Sequence, residues 1–268
     1  MRPDKVGIDA GGTLLKMVYE ESSRFHYKTY SMDNLQSSMK WLKMTASGAS
    51  FALTGGQSEF LKNDFFPNAI TVSEFKANCE GAAFLMNQEG RTKENYLLIN
   101  IGTGTSIYLI KAREYTRLLG SAIGGGTFLG LGKLLTGETD FSKLVSLARK
   151  GEAAAADLLV KDIYHPSKPP IDGSLTASNF GKVRINEKVS NEDKIASLTN
   201  MIAETIVLLS MQSASHHQIK DIVYIGNTLK NNKLLKNRLE HYTKMLGLNP
   251  FFIQNGEYSG AVGAFLSL

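Results

Sequence analysis

The sequence predicts an α/β fold built from two similar halves, and three observations predict it. Short apolar strands alternate with helical patterns along the 268 residues, the signature of sheets covered by helices. A glycine-turn hairpin near the N-terminus returns about a third of the way along. No low-complexity linker divides the chain, so the two lobes are closely joined.

An apolar run over 5–9, a Gly-Gly-Thr turn and a second apolar run over 14–19 read as strand, tight turn, strand. Leu35, Met39 and Leu42 fall at helical spacing. Strands are expected over 51–54 and 69–72, the latter ending just before Glu74, and a helix over 75–87. The opening pattern then returns as strand 96–100, turn Gly102-Thr103-Gly104-Thr105 and strand 106–110. Ile8-Asp9-Ala10-Gly11 aligns with Ile99-Asn100-Ile101-Gly102, an internal duplication of a hairpin whose turn faces a ligand. Gly124-Gly125-Gly126 reads as a helix start and precedes an apolar stretch over 128–135 that is broken by Gly130 and Gly132, and 140–149 is helical. Pro166, Pro169, Pro170 and Gly173 mark a loop. A long helix over 193–214 leads to strand 221–225, the turn Gly226-Asn227-Thr228, a helix over 230–246, a strand over 251–253 and a terminal helix over 261–266.

Composition excludes several classes. Hydrophobic residues are 43% and charged residues 21%, which is neither disordered nor fibrous. The net charge of +5 suits anionic ligands. The densest basic cluster, Lys230, Lys233, Lys236 and Arg238, has the spacing of one solvated helix face rather than a nucleic-acid surface. The single cysteine, Cys79, excludes an intramolecular disulfide and argues against a cysteine-based zinc site; it reads as a packed small residue. The first residues run straight into a strand, so no secretory leader is expected. The helix over 193–214 carries Asn200, Glu204 and Gln212 and reads as buried rather than membrane-spanning. A cytoplasmic protein with no membrane or nucleic-acid partner is expected.

Phosphate loops have several designs, and two fail here. A P-loop around Gly132-Lys133 would need glycine at Thr127 and a hydroxyl at Leu134. A dinucleotide-binding turn needs a helix after the glycines, but Asp9 through Thr13 leads into Leu14-Leu15-Lys16-Met17, which reads as strand. A hairpin turn remains. Its glycines allow close backbone approach and aim N–H groups at phosphate oxygens. An aspartate at the strand end, Asp9, can hold Mg²⁺ through water, and Thr13 and Lys16 add a hydroxyl and a charge.

The ordered set Asp9-Ala10-Gly11-Gly12-Thr13, Gly102-Thr103-Gly104-Thr105-Ser106, Gly124-Gly125-Gly126 and Tyr224-Ile225-Gly226-Asn227 resembles the two phosphate motifs and the adenosine motif of the actin/hexokinase/Hsp70 superfamily. Glu74-Phe75-Lys76-Ala77, Arg117-Leu118-Leu119-Gly120, Leu175-Thr176-Ala177-Ser178-Asn179-Phe180-Gly181 and Tyr258-Ser259-Gly260-Ala261-Val262-Gly263-Ala264 narrow the resemblance to type II pantothenate kinases, over essentially the whole chain. It implies a two-lobed actin-like ATPase or ribonuclease H-like fold: an N-terminal lobe over 1–95, a C-terminal lobe over 96–268 whose terminal helix is free to pack on the N-terminal lobe, and an ATP cleft between them. It also implies phosphorylation of pantothenate by ATP with Mg²⁺, the first step toward coenzyme A.

By that resemblance Glu74 is the general base, rather than a first-turn glutamate merely favoured by the helix dipole. Arg117 is the anion clamp, holding the pantothenate carboxylate or the migrating phosphoryl group; Arg113 rivals it only if the register is misread. Asp9, Ala10, Gly11, Gly12, Thr13, Leu14, Lys16, Thr103 and Gly104 are expected at the phosphates. Gly124, Gly125, Gly126, Thr127 and Phe128 are expected to present a helix N-terminus to them. Phe141 is expected near the adenine and Asn227 at the nucleoside, although relatives often place a small hydroxyl residue at the latter position. Ser106 is a candidate donor to substrate. Family members are homodimers in which the partner completes the pantothenate pocket, and Tyr164, Ala177 and Tyr258 are candidates for that wall. The alternatives are a sugar-type kinase of the same fold and a non-catalytic nucleotide or acyl-CoA sensor.

Overall fold

A computed structural model describes residues 3–185 and 188–268. The first lobe runs β1 (Lys5–Ala10), β2 (Leu14–Glu21), β3 (Arg24–Ser31), α1 (Leu35–Thr45), β4 (Ser50–Thr54), α2 (Ser58–Asp64), β5 (Ile70–Thr71) and α3 (Glu74–Gln88). Its sheet order is β3-β2-β1-β4-β5, antiparallel through the first three strands and parallel through the rest. The second lobe opens with β6 (Asn95–Ile101), β7 (Thr105–Lys111) and β8 (Glu114–Ser121). There follow α4 (Gly125–Thr136), α5 (Phe141–Lys150), α6 (Ala153–Ala156), β9 (Leu158–Leu159), α7 (Val160–Tyr164), β10 (Thr176–Ser178) and α8 (Asn191–His217). The chain closes with β11 (Asp221–Ile225), α9 (Lys233–Met245), β12 (Asn249–Phe252) and α10 (Ser259–Leu266). The second sheet has order β12-β11-β6-β7-β8, the same path as the first read from the other edge. The duplication seen in the hairpins is therefore a duplication of whole lobes.

The copies match in detail. Asp9 pairs with Thr54 of β4, and Asn100 pairs with Ile225 of β11. The next residues, Gly55 and Gly226, both have positive φ, 89° and 112°. A Cβ on either would lie about 2.5 Å or less from a carbonyl oxygen of the neighbouring central strand, that of Ala10 or Ile101. Only glycine satisfies both the dihedral and the contact.

Three apolar clusters separate the layers. Val6, Ile8, Leu15 and Met17 pack under α1 and α2. Leu97, Ile99, Ile222 and Tyr224 pack under α4, α5, α8 and α9. Between the sheets lie α3 and α10, with Ala82, Leu85, Ala261 and Val262 meeting Val18 on one side and Leu98, Tyr108 and Val223 on the other. Cys79 belongs to this layer. Burial pushes its thiol up to about 12, so it is a packed, protonated side chain.

Seven elements of the described residues go beyond the expected pattern: β3, α2, β8, α6, β9, α7 and β10. β3 and β8 are edge strands whose residues are mostly part-buried or exposed, so they lack the alternation that marks a half-buried strand. α2 is only seven residues with one buried side chain, Leu61. The helix expected over 193–214 extends over Asn191–His217 and, by length and composition alone, is apolar enough to cross a membrane. Most of that stretch, 61%, is buried inside the fold, so the core explains its apolarity. A feature with no sequence signal anchors the segment that follows α6. Asp157 is fully buried and accepts hydrogen bonds from Phe180 N at 2.9 Å, Asn200 Nδ2 at 3.1 Å and Ser197 Oγ.

Packing of α3 on α10 makes a direct prediction. A Cβ at Gly81 would come within 1.9 Å of the Ser259 carbonyl oxygen. Gly81→Ala is expected to destabilise the protein by about 3 kcal/mol, the upper range of overpacking, measured by chemical denaturation. Gly130→Ala on α4, where an added Cβ meets nothing, should instead stabilise by about 0.5–1 kcal/mol through helix propensity.

Candidate active site

The hairpins place polar residues in matching positions at the ends of the central strands. In the first, Asp9 pairs across the ladder with Lys16, and Lys16 Nζ lies 3.4 Å from Asp9 Oδ2. In the second, the equivalent pair is Asn100 and Ser106. Two tight neighbours enclose the Asp9 carboxylate: a Cβ on Gly55 would sit 2.7 Å from Oδ1, and one on Gly260 would sit 2.9 Å from Oδ2. Gly260 lies in the first turn of α10, whose N-terminal dipole favours a carboxylate. Ala10 is buried, and Gly12 and Thr13 are exposed at the turn tip, as Thr103 is in the second turn. Leu14 accepts a hydrogen bond from Gly11 N at 3.0 Å, which closes the first turn.

Glu74 is the first residue of α3 and opens onto this cleft. Desolvation by surrounding protein atoms raises its carboxyl above the usual glutamate range. Asp9 pushes it further up, while Lys16 and Arg117 pull it down and do not cancel the rise. Glu74, Asp9, Lys16 and Arg117 thus share one electrostatic neighbourhood. A carboxylate held above its ordinary value moves toward what a general base needs at neutral pH.

Arg117 reaches the cleft through a bulge. Ser106 pairs with Gly120 and Ile107 with Leu119, but Tyr108 pairs with Arg117, so Leu118 is an extra residue on β8. A bulge re-aims the side chains that flank it. Here it puts Arg117 and Gly120 on the face that also carries Ser106 and Tyr108. Arg113 lies at the β7–β8 turn with φ 71°, so the register assigns the cleft position to Arg117.

The triple glycine does a different job from the one expected. The amides of Gly125 and Gly126 donate to the carbonyls of Gly102 and Thr103 at 2.9 and 2.8 Å. A Cβ on Gly124 would lie 2.8 Å from Gly104 backbone atoms. Those two amides are therefore engaged within the protein, and the glycines let α4 sit directly on the second hairpin. Thr127 Oγ1 donates to Ala122 O at 2.7 Å, and Thr228 Oγ1 donates to Gly102 O at 2.8 Å. What α4 offers an anion at this point is its dipole rather than the Gly125 and Gly126 N–H groups. Phe128 is buried beneath Phe141, with ring centroids 5.4 Å apart, and supports that ring from within the core.

Phe141 and Asn227 meet in one cavity of about 390 Å³ lined also by Val145, Arg149, Lys230 and Leu234, a size typical of small-molecule sites. Lys230 corrects the expectation of a solvated basic face. It precedes α9, and its Nζ donates to Tyr258 Oη at 3.3 Å and lies 3.4 Å from Glu257. Burial would lower its pKa, but those contacts with Tyr258 and Glu257 raise it overall. Lys233 also lines the cavity, and Arg238 Nε is buried. Adjacency across folded segments, invisible to spacing along one helix, decides these positions.

Tyr258 is only 5% exposed, hydrogen-bonded to Thr29 at 2.8 Å and packed on Tyr27, which places it in the interlobe core of this chain. Tyr164 and Ala177 are exposed, on α7 and β10.

Two lobes of one topology, a glycine hairpin in each, a poised carboxylate and a nucleoside-sized cavity define the phosphotransferase architecture of the actin/hexokinase/Hsp70 class. Solved structures agree at the level of fold. The chain is similar to component A of (R)-2-hydroxyglutaryl-CoA dehydratase from Acidaminococcus fermentans (TM-score 0.68, 18% identity, 98% of this chain and 96% of that one). It is also similar to a ROK family glucokinase from Streptomyces griseus in complex with glucose and AMPPNP (TM-score 0.56, 13% identity, 98% of each chain). The family model Fumble matches residues 47–267. Type II pantothenate kinases are similar over nearly the full length: 43% identity for that of Oceanobacillus iheyensis, covering 98% of this chain and 99% of that protein, and 39% for that of Bacillus cereus, covering 97% of each. The chain belongs to the type II pantothenate kinase family.

The raised Glu74 carboxyl predicts a stability effect. A carboxylate whose folded value exceeds its unfolded value costs stability above the folded value, and protonation recovers that cost as pH falls through it. Glu74→Gln is therefore expected to raise Tm at about pH 7. The advantage should vanish as pH drops below the usual glutamate value of 4.5, as thermal melts across pH would show.

Proposed function

We propose that this chain transfers the γ-phosphoryl group of ATP to the primary hydroxyl of pantothenate, giving 4'-phosphopantothenate. The observation that carries the reading is the convergence of Glu74, Asp9, Lys16 and Arg117 in one cleft; the names of the full-length relatives support the choice of substrate.

Glu74 accepts the hydroxyl proton as the substrate oxygen bonds to the γ-phosphorus. The bond from that phosphorus to the bridging oxygen breaks, and ADP leaves. Such transfers depend on positioning and charge neutralisation more than on covalent chemistry. The Gly11-Gly12-Thr13 and Thr103-Gly104 turns approach the phosphates, with Lys16 and the α4 dipole supplying positive potential. Arg117 clamps substrate carboxylate or migrating phosphoryl oxygens, and Ser106 donates to substrate from the same sheet face. Phe141 and Asn227 hold the nucleoside. Asp9 offers the hard oxygen donor that a hydrated Mg²⁺ takes, and its partial exposure, 14% of the side chain, leaves room for a water shell. Bound there, Mg²⁺ would neutralise phosphate charge.

We assign 1–95 and 96–268 as the two lobes, a cytoplasmic location and a homodimer. The dimer is supported by exposed apolar side chains on the segment that carries Tyr164 and Ala177. Ile163, Ile171 and Ile185 are 58%, 58% and 69% exposed, apolar surface that a partner subunit would cover. Sedimentation at micromolar concentration should give twice the chain mass; a monomer at all concentrations removes this assignment.

With Mg-ATP, purified protein should phosphorylate pantothenate and not glucose; the reverse preference would favour a sugar kinase, and no turnover of either a sensor. Glu74→Gln should lower kcat by about 10²–10⁴, the usual contribution of a general base. The acid limb of the wild-type pH–rate profile should lie above the ordinary glutamate range. Phe141→Ala should raise the KM for ATP while leaving that for pantothenate unchanged.

A further inference from the structure

Arg117 sits on the surface of the cleft, where a long flexible side chain would normally sample many rotamers. Its guanidinium is nevertheless held by two neighbours. Its Cζ lies 5.2 Å from the centroid of the Phe75 ring, within the range of a cation–π contact. It also lies against Gly120, where an added Cβ would come within 2.3 Å of Nη2. Phe75 itself is 43% exposed. That exposure is what remains with the guanidinium in place, so the cation covers one part of the ring and leaves the rest exposed. The Phe75 ring is braced from behind by Tyr108, with centroids 5.8 Å apart, and Tyr108 is 1% exposed. Tyr108 pairs with Arg117 across the ladder. The layers are therefore a rigid buried ring, a cleft-facing ring and a cation.

We propose that Phe75 is a positioning residue: with Gly120 it clamps the Arg117 guanidinium in place beside Glu74, so that the group which binds the anionic end of the substrate or the phosphoryl group is set before substrate arrives. The inference rests on the kinase reading for its consequence, but the clamp is a property of the free protein. Preorganisation of this kind saves the cost of ordering a side chain on binding. Phe75 follows Glu74 at the start of α3, so base and clamp share one rigid helix end. Gly120 contributes by what it lacks, since any side chain there would displace the guanidinium.

The test is a double-mutant cycle. Phe75→Leu keeps an apolar side chain of similar reach without a π face. It should lower kcat/KM for pantothenate by about fivefold, the scale of an exposed cation–π contact, with the KM for ATP unchanged. Phe75→Tyr, which keeps the face, should restore it to within about twofold. In an Arg117→Ala background Phe75→Leu should cost nothing further. Equal losses in both backgrounds, or no loss in the wild-type background, would overturn the proposal. Gly120→Ala supplies an independent variant and should reproduce the loss only when Arg117 is present. If the wild type does not phosphorylate pantothenate, the functional reading fails, and the clamp is read without turnover. The side-chain Nε–H resonance of Arg117 should then show a ring-current shift and restricted motion that Phe75→Leu abolishes. An Arg117 side chain as mobile as that of Arg113 in the wild type sinks the inference.

Discussion

Close contact between α3 and α10 is the constraint on which the rest of this molecule depends. In the duplicated topology the two helices are equivalents: each follows the last strand of its lobe's five-stranded sheet. They pack on one another as the shared middle layer between two sheets. Each brings a glycine to the contact, with Gly81 facing the Ser259 carbonyl and Gly263 facing the Ala77 carbonyl at distances no Cβ could tolerate. The spacing of the lobes is set by backbone against backbone, the stiffest contact a protein interior offers. Both helix N-termini point at the same cleft. One carries Glu74; the other puts Gly260 against Asp9. A shift in the middle layer would change the distance between Glu74 and Asp9 directly.

That arrangement explains the electrostatics. A glutamate facing an aspartate across a protein-walled cleft is disfavoured in its charged form both by lost solvation and by like charge. Lys16 and Arg117 reduce the penalty without removing it. The second lobe repeats the scaffold but not the charge, since Asn100 and Ser106 occupy the places of Asp9 and Lys16. Repulsion at the cleft is thus confined to one side. The neutral hairpin is instead locked by backbone and hydroxyl bonds to α4 and Thr228.

Much of this was legible in the sequence because it rests on local rules. Strand, glycine turn and strand mark both hairpins, and the ladders pair Asp9 with Lys16 and Asn100 with Ser106 as that reading requires. Glu74 begins its helix as expected. What was not legible depends on contacts distant in sequence. β3 and β8 are half-exposed edges without periodicity. The amides of Gly125 and Gly126 look free in a helix-start pattern, and only the fold brings the carbonyls of Gly102 and Thr103 to them. Lys230 reads as one more surface lysine until Tyr258 and Glu257 arrive from the far end of the chain. Asp157 has no cation in its motif, and its burial is satisfied by an amide, a hydroxyl and an asparagine from elsewhere.

The two copies of the scaffold diverge by insertion. Between its third and fourth strands the first lobe has only α1, whereas the second has the whole stretch from α4 to α8. That stretch builds a wall of the 390 Å³ cavity through Phe141, Val145 and Arg149. It also builds the Asp157-anchored segment that carries Tyr164 and Ala177. The first lobe keeps the short connection and the charged hairpin. A duplicated frame with one copy left lean and charged and the other enlarged and neutral divides the work physically. Charge repulsion stays in the lobe of the charged hairpin, and apolar surface accumulates in the lobe of the cavity. Equal decoration of both copies would place either two repelling acids or two bulky walls at the mouth of one cleft, and neither leaves room for a phosphate between the hairpins.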